Sequence, residues 1–262
     1  MATQTQHAPG TFCWVELATT DQDGAKKFYG SLFGWSFTDT DMGPGGVYTI
    51  FKNADRDSAA LYTLEKERQD QGMPPCWSCY VAVDNADTAA QKAAGLGGKV
   101  LMEPFDVMEH GRMAVIQDPQ GAIFCVWQAK KNPGVGVLDE PGAMCWTELM
   151  TSDPGAAAKF YTALFPWTTQ KMEGPMDYTT FHRPADQKGA GGMLKTPNEM
   201  PNVPPNWTPY FQVTSTQATV EKTNQLGGGI VVPPQTIPSV GTFAVLRDPQ
   251  GAVFAVLQPA AM

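Results

Sequence analysis

Two matching stretches decide how this chain folds. The first is Cys13-Trp14-Val15-Glu16-Leu17, followed by Asp21 and Lys27-Phe28-Tyr29. The second is Cys145-Trp146-Thr147-Glu148-Leu149, followed by Asp153 and Lys159-Phe160-Tyr161. Working outward, the same order of blocks continues in both halves. Trp35 returns as Trp167, Pro74-Pro75-Cys76-Trp77 as Pro204-Pro205-Asn206-Trp207, and Leu96-Gly97-Gly98 as Leu226-Gly227-Gly228. Asp118-Pro119-Gln120-Gly121-Ala122 returns as Asp248-Pro249-Gln250-Gly251-Ala252. Ordered blocks at matching spacing mark an internal duplication, which sets the architecture before any local reading. Two copies are too few for a solenoid. The stretch from Lys130 to Gly142 has no apolar periodicity and carries Pro133, Gly134, Gly136 and Pro141, so it reads as a connector. The expected domains are 1–130 and 143–262, with a linker over 131–142.

Within a copy, alternation predicts a strand over Thr11 to Ala18, with Trp14, Glu16 and Ala18 on one face and Cys13, Val15 and Leu17 on the other. Asp21 is an N-cap, and the apolar stripe Ala25, Phe28, Tyr29, Leu32, Phe33 predicts an amphipathic helix that Gly34 ends. Three strands follow, around Ser36–Asp39, Val47–Lys52 and Ala59–Thr63. A second unit repeats the order: a strand from Cys79, a helix over Ala86 to Leu96, then strands at Val100–Met102, Arg112–Ile116 and Ala122–Gln128. Asp118-Pro119-Gln120-Gly121 reads as a hairpin turn. The predicted class is α+β: two tandem domains, each of two βαβββ units whose mixed sheet curls into a cup. The expected form is a two-lobed monomer or a homodimer.

The chain has 262 residues, 42% of them hydrophobic, and a net charge of −8. The longest basic cluster, Lys130-Lys131, is too small for a phosphate-binding surface, so no nucleic-acid partner is expected. No apolar run is long enough for a membrane span, and Met1 to Gly10 lacks the apolar stretch of a signal peptide. The five cysteines sit mostly in apolar runs and fit reduced thiols, so the expected location is cytoplasmic.

Taken together, the opening Trp14-Val15-Glu16-Leu17…Asp21, the Lys27-Phe28-Tyr29…Gly34-Trp35 helix end, the Leu96-Gly97-Gly98 stop and the closing Gly111-Arg112…Asp118-Pro119-Gln120-Gly121 resemble the vicinal oxygen chelate superfamily. This superfamily groups glyoxalases, bleomycin-resistance proteins and extradiol dioxygenases. The resemblance narrows to a two-copy actinobacterial subgroup with glyoxalase-like and hydroxylase names. It implies a cup that holds a small molecule, and in many members a divalent metal held by His and Glu that acts as a Lewis acid. The positions it implies for those ligands hold Trp14 and Trp146, Ser78 and Thr208, Cys125 and Ala255, and the segments Ala59-Ala60-Leu61 and Gly191-Gly192-Met193. Trp and Ala bring no metal-binding side chain. No metal and no cofactor are therefore expected.

The chemistry-bearing candidates are Glu16, Glu148 and His182. The two glutamates follow the lost ligand on its own face, where burial would raise the carboxyl pKa. His182 has no counterpart in the first copy, where Lys52 takes its place; His110, matched by Val240, is likewise without a counterpart and a further candidate. Trp14, Tyr48, Ser78, Tyr80 and Trp127, with Trp146, Tyr178, Thr208 and Tyr210, are the candidate ligand-binding residues. Cys76-Trp77-Ser78-Cys79 enters a strand, whereas a redox Cys-x-x-Cys would open a helix. The Gly-Gly pairs end helices, so they do not cradle phosphate. Three readings stay open: a binding protein or metal-independent enzyme for an aromatic or polyketide-like metabolite, a metal-dependent lyase, isomerase or dioxygenase with displaced ligands, and a non-enzymatic interaction protein.

Overall fold

The computed structural model describes residues 3–172, 177–186, 188–198, 200 and 202–261. The first half runs β1 (Phe12–Thr19), α1 (Gln22–Phe33), β2 (Ser36–Asp41), β3 (Val47–Asn53), β4 (Arg56–Thr63), α2 (Lys66–Asp70), β5 (Cys76–Ala82), α3 (Ala86–Gly95), β6 (Lys99–Val107), β7 (Gly111–Gln117) and β8 (Ile123–Ala129). The second half runs β9 (Met144–Thr151), α4 (Pro154–Leu164), β10 (Thr168–Lys171), β11 (Tyr178–His182), β12 (Gly189–Lys195), β13 (Asn206–Gln212), α5 (Thr216–Gln225), β14 (Gly229–Ile237), β15 (Gly241–Arg247) and β16 (Val253–Pro259). The strand-helix-three-strand order therefore holds in all four units. The short α2 is an addition that apolar periodicity does not signal.

Each half closes its own eight-stranded sheet, in the order β2-β3-β4-β1-β5-β8-β7-β6 and β10-β11-β12-β9-β13-β16-β15-β14. The first strand of each half sits at the centre, parallel to β4 or β12 and antiparallel to β5 or β13. Local chemistry starts and stops the helices as expected. Asp21 and Asp153 accept from Gly24 and Ala156 amides at 2.9 and 3.0 Å, and Gly34 turns left-handed to end α1.

Parity within β1 holds from Trp14 onward and fails before it. Val15 and Leu17 join the helix-side core, whereas Cys13 packs with Trp14 on the cup side. The cause is a register shift between Phe12 and Trp14, which lets two successive residues face the same way. The strand therefore changes sides at a bulge that alternation alone does not reveal.

The two-lobed form is not what the packing gives. The sheets meet back to back at β5 and β13, with the helices filling the layer between them, and one continuous core takes residues from both halves. Phe28 of α1 reaches Phe254 at 6.2 Å, and Phe160 of α4 reaches Phe124 at 6.4 Å. The second glycine of each Leu-Gly-Gly block is hemmed in on both sides: a Cβ at Gly98 or Gly228 would stand 3.0 or 2.6 Å from the Gln117 or Arg247 carbonyl of its own half and 3.2 or 3.1 Å from the Phe160 or Phe28 ring of the other.

The repeated tyrosines and aspartates form a reciprocal latch. Tyr29 donates to Asp248 at 3.0 Å and Tyr161 donates to Asp118 at 2.9 Å, so each helix is bonded to the closing turn of the other half. The Trp77 and Trp207 indoles donate to those same tyrosine oxygens. The other oxygen of Asp118 accepts from the Gln120, Gly121 and Ala122 amides. Asp118-Pro119-Gln120-Gly121 is thus more than a hairpin turn. It is a buried polar joint in which both oxygens of Asp118 and the Tyr161 hydroxyl have partners.

The connector is also more than a spacer. Gly134 to Val137 are buried, Val135 donates to the Cys13 carbonyl, and Gly136 donates to the Asp57 carbonyl. The N-terminal arm ahead of β1 repeats its last steps. Trp35 donates to Gly142 and Trp167 to Gly10, and both glycines are left-handed. The repeat therefore extends upstream: the arm is to the second half what the connector is to the first.

Candidate functional site

In both cups the same four side chains interlock on the floor. Glu16 lies on β1 opposite Ala60 and Ser78, and Glu148 lies on β9 opposite Gly192 and Thr208. The small neighbours leave room for phenol rings; a Cβ at Gly192 would run into the Tyr178 hydroxyl. Tyr80 donates to Glu16, and Tyr210 donates to Glu148 at 2.8 Å. A second hydroxyl, from Tyr48 or Tyr178, bonds each carboxyl as well. Behind it stands a Trp: the Trp146 indole donates to Tyr178 at 3.0 Å, and Trp14 takes the same place beside Tyr48. The chain of donors is therefore indole to phenol to carboxyl, with a second phenol from the far side.

Burial pushes both Glu carboxyls above the usual range, against the pull of the tyrosine hydrogen bonds. Burial and the neighbouring carboxyl push Tyr48, Tyr80, Tyr178 and Tyr210 up in turn, so the phenols keep their protons. Glu16 and Glu148 are nevertheless only half-buried. Each presents to its cup a carboxyl whose protonated form burial favours.

The other candidates are more scattered. Thr208 donates to Asn206, and Trp127 is sealed in the first cup with its indole donating to Asn132. His182 bonds Thr180 at 2.8 Å at the end of β11, two strands from Glu148, and does not join the network. His110 is exposed in the turn between β6 and β7. Cys76 and Cys79 are free thiols entering β5.

The family's metal does not fit these residues. Trp14 and Trp146 bring indoles, Ala255 brings no donor, and burial pushes the Cys125 thiol well up, away from the thiolate that binds metal. The nearest carboxyl on each floor is held by two hydroxyls. Among the described residues no three His, Cys, Asp or Glu side chains come together as a ligand set.

The cups differ in their other walls. In the first, Cys13, Trp14, Ala60, Tyr80, Ala82, Cys125 and Trp127 close on Val135 of the connector as an apolar cluster. Beside the second, a cavity of about 460 Å³ lies between the arm, the connector and the starts of β9 and β12, with Trp146, Phe12 and Leu138 in its wall; Glu148, Tyr178 and Tyr210 do not line it. The arm residues Gln4, Gln6 and His7 line it too, and sequence reasoning did not single them out. The signal was available: Pro9-Gly10 precedes Cys13-Trp14 as Pro141-Gly142 precedes Cys145-Trp146.

Residues 11–126 and 134–256 match the model of the Glyoxalase/Bleomycin resistance protein/Dioxygenase superfamily, and the chain belongs to that superfamily. It is 41% identical over 261 residues, 99% of each chain, to a Mycobacterium tuberculosis protein named as a glyoxylase, CFP32. It is 35% identical over 274 residues, covering 97% of this chain and 95% of the other, to the anthracycline biosynthesis protein DnrV of Streptomyces peucetius. Among solved structures, the Mn(II)-bound glyoxalase of Novosphingobium aromaticivorans shares the fold, with a TM-score of 0.65 at 16% identity over 98% of this chain and 83% of that one. No helix among the described residues is long and apolar enough to cross a membrane.

Proposed function

We propose that the second half binds a small, flat, aromatic or polyketide-like metabolite in its cup, and that Glu148 acts on it without a protein-held metal. The observation that carries this reading is the Trp146–Tyr178–Glu148–Tyr210 network, which stands where the superfamily's metal ligands are expected and offers a protonatable carboxyl instead. Three features support it. The carboxyl is raised by burial yet half-open to the cup. The surrounding rings of Trp146, Tyr178, Tyr210 and Phe243 suit a planar ligand. A relative at 35% identity carries an anthracycline biosynthesis name. A neutral carboxyl donates to a ligand carbonyl, and an ionised one accepts from a ligand hydroxyl. Either role needs the Tyr178 and Tyr210 bonds to hold the group in place.

The test is a thermal-shift screen of polycyclic aromatic ketones and phenols, followed by product analysis of every hit. A ligand at a hundred times its Kd should add about 2.7 kcal/mol of stability. Glu148→Gln should remove that shift. Hits that bind Glu148→Gln and wild type equally would sink the proposal. So would stoichiometric transition metal in purified protein that is lost with Glu148→Gln.

A further inference from the structure

The cavity beside Trp146 holds a cation whose acidic partner is missing. In the first half, Arg56 at the start of β4 makes a two-pronged ion pair with Glu140 of the connector, at 3.0 and 2.7 Å. This pair fastens the connector down over Cys13 and Asp57. Its counterpart is found by register. Asp57 pairs with Lys52 as Gly189 pairs with His182, so Lys188 stands in the place of Arg56. Gly142 accepts from Trp35 as Gly10 accepts from Trp167, so Ala8 stands in the place of Glu140. The base is kept, but the acid has become a methyl group. Lys188 makes no ion pair within 4.0 Å of any described carboxylate, although Asp139 and Asp186 lie within its electrostatic reach, and both Lys188 and Ala8 line the cavity.

The apolar side of the cavity is formed by Trp146, Phe12, Leu138 and Ala190. The other charged groups in its lining are Arg183, paired with Asp186 at 2.8 Å and donating to Thr11, Asp186 itself, and Asp139. Asp139 opposes an anion and also feels the Lys188 charge. His7 is bonded to the Val135 carbonyl.

We propose that this cavity is a binding site for a small carboxylate with a flat apolar body, its carboxylate on Lys188 where Glu140 meets Arg56 in the first half and its body against Trp146. The site does not use Glu148, so it stands or falls separately from the cup reading.

The experiment titrates the full-length protein with 3-phenylpropionate and with its uncharged amide by calorimetry. The carboxylate is expected to saturate one site per chain, and the amide to bind about tenfold more weakly or worse. Lys188→Met should weaken the carboxylate by a similar factor. Ala8→Glu supplies the missing acid from within the chain, and should block the carboxylate while leaving the melting temperature equal or higher. Glu148→Gln should leave this binding unchanged. Equal binding of acid and amide would overturn the proposal, as would no saturable binding of the acid or full binding by Ala8→Glu. Lys188 is exposed, so its substitution does not threaten the fold.

Discussion

The connector and the N-terminal arm enter their halves by the same last steps and differ ahead of them. Val135, Gly136 and Val137 are buried against the first sheet, while their counterparts Thr3, Gln4 and Thr5 are exposed. The connector has apolar side chains to bury and the Arg56–Glu140 pair to hold it. The arm has hydroxyls and amides, with Ala8 where the acid would be. It is held instead by Gln4 on the Gly136 carbonyl, His7 on the Val135 carbonyl and Thr11 on Arg183. The duplication thus kept both cup floors and changed what lies over their ends, filling one and leaving the other hollow.

Where the halves agree, substitutions should act alike. Asp118→Ala strips the partner from three turn amides and from Tyr161, all in a buried setting, and should cost on the order of 3 kcal/mol or more. Asp248→Ala should cost a similar amount, because it faces Tyr29 in the same way. Denaturant unfolding checks both. A large inequality between them would break the symmetry of the core.

Where the halves differ, effects should diverge. Val135→Thr buries a hydroxyl in the apolar cluster over the first cup and should cost about 1–3 kcal/mol. The reverse exchange in the arm, Thr3→Val, sits in solvent and should change stability by less than about 0.5 kcal/mol. Similar costs at both positions would show that the arm is held as firmly as the connector.

A smaller effect concerns pH. Burial raises the folded-state pKa of Glu16 and Glu148, so in the window between the unfolded value, about 4.3, and the raised folded value the folded chain holds protons that the unfolded chain has shed. These two groups therefore favour folding most at low pH, and stability drops as pH rises through that window. Glutamine mimics the protonated acid. The stability of Glu148→Gln relative to wild type should accordingly improve as pH is raised from about 4 to 8. A relative stability independent of pH, measured by urea unfolding, would contradict the raised carboxyl.

Much of this was legible in the residues, and the exceptions have physical causes. The repeat, the element order and the cup-facing side of Glu16 and Glu148 follow from blocks and parity, because a pleated strand allows only two faces. The bulge at Cys13 escaped because an extra residue on a strand leaves no mark in composition. The latch escaped because Tyr29 and Asp248 lie far apart in the chain and each has a sufficient local reading, one as part of a helix stripe and the other as a turn. His182 looked distinctive for lacking a counterpart, yet its partner is Thr180 on its own strand. The cavity escaped because it is defined by what the arm lacks, and an alanine in place of an acid is conspicuous only once the two halves are superposed.

The central claim is that the second cup binds the ligand and the first does not. With any aromatic ligand found in the screen, calorimetric titration of wild type, Glu16→Gln and Glu148→Gln tests it most directly. The account predicts one molecule bound per chain, kept in Glu16→Gln and lost in Glu148→Gln. Two molecules per chain, or loss of binding in Glu16→Gln alone, would contradict it.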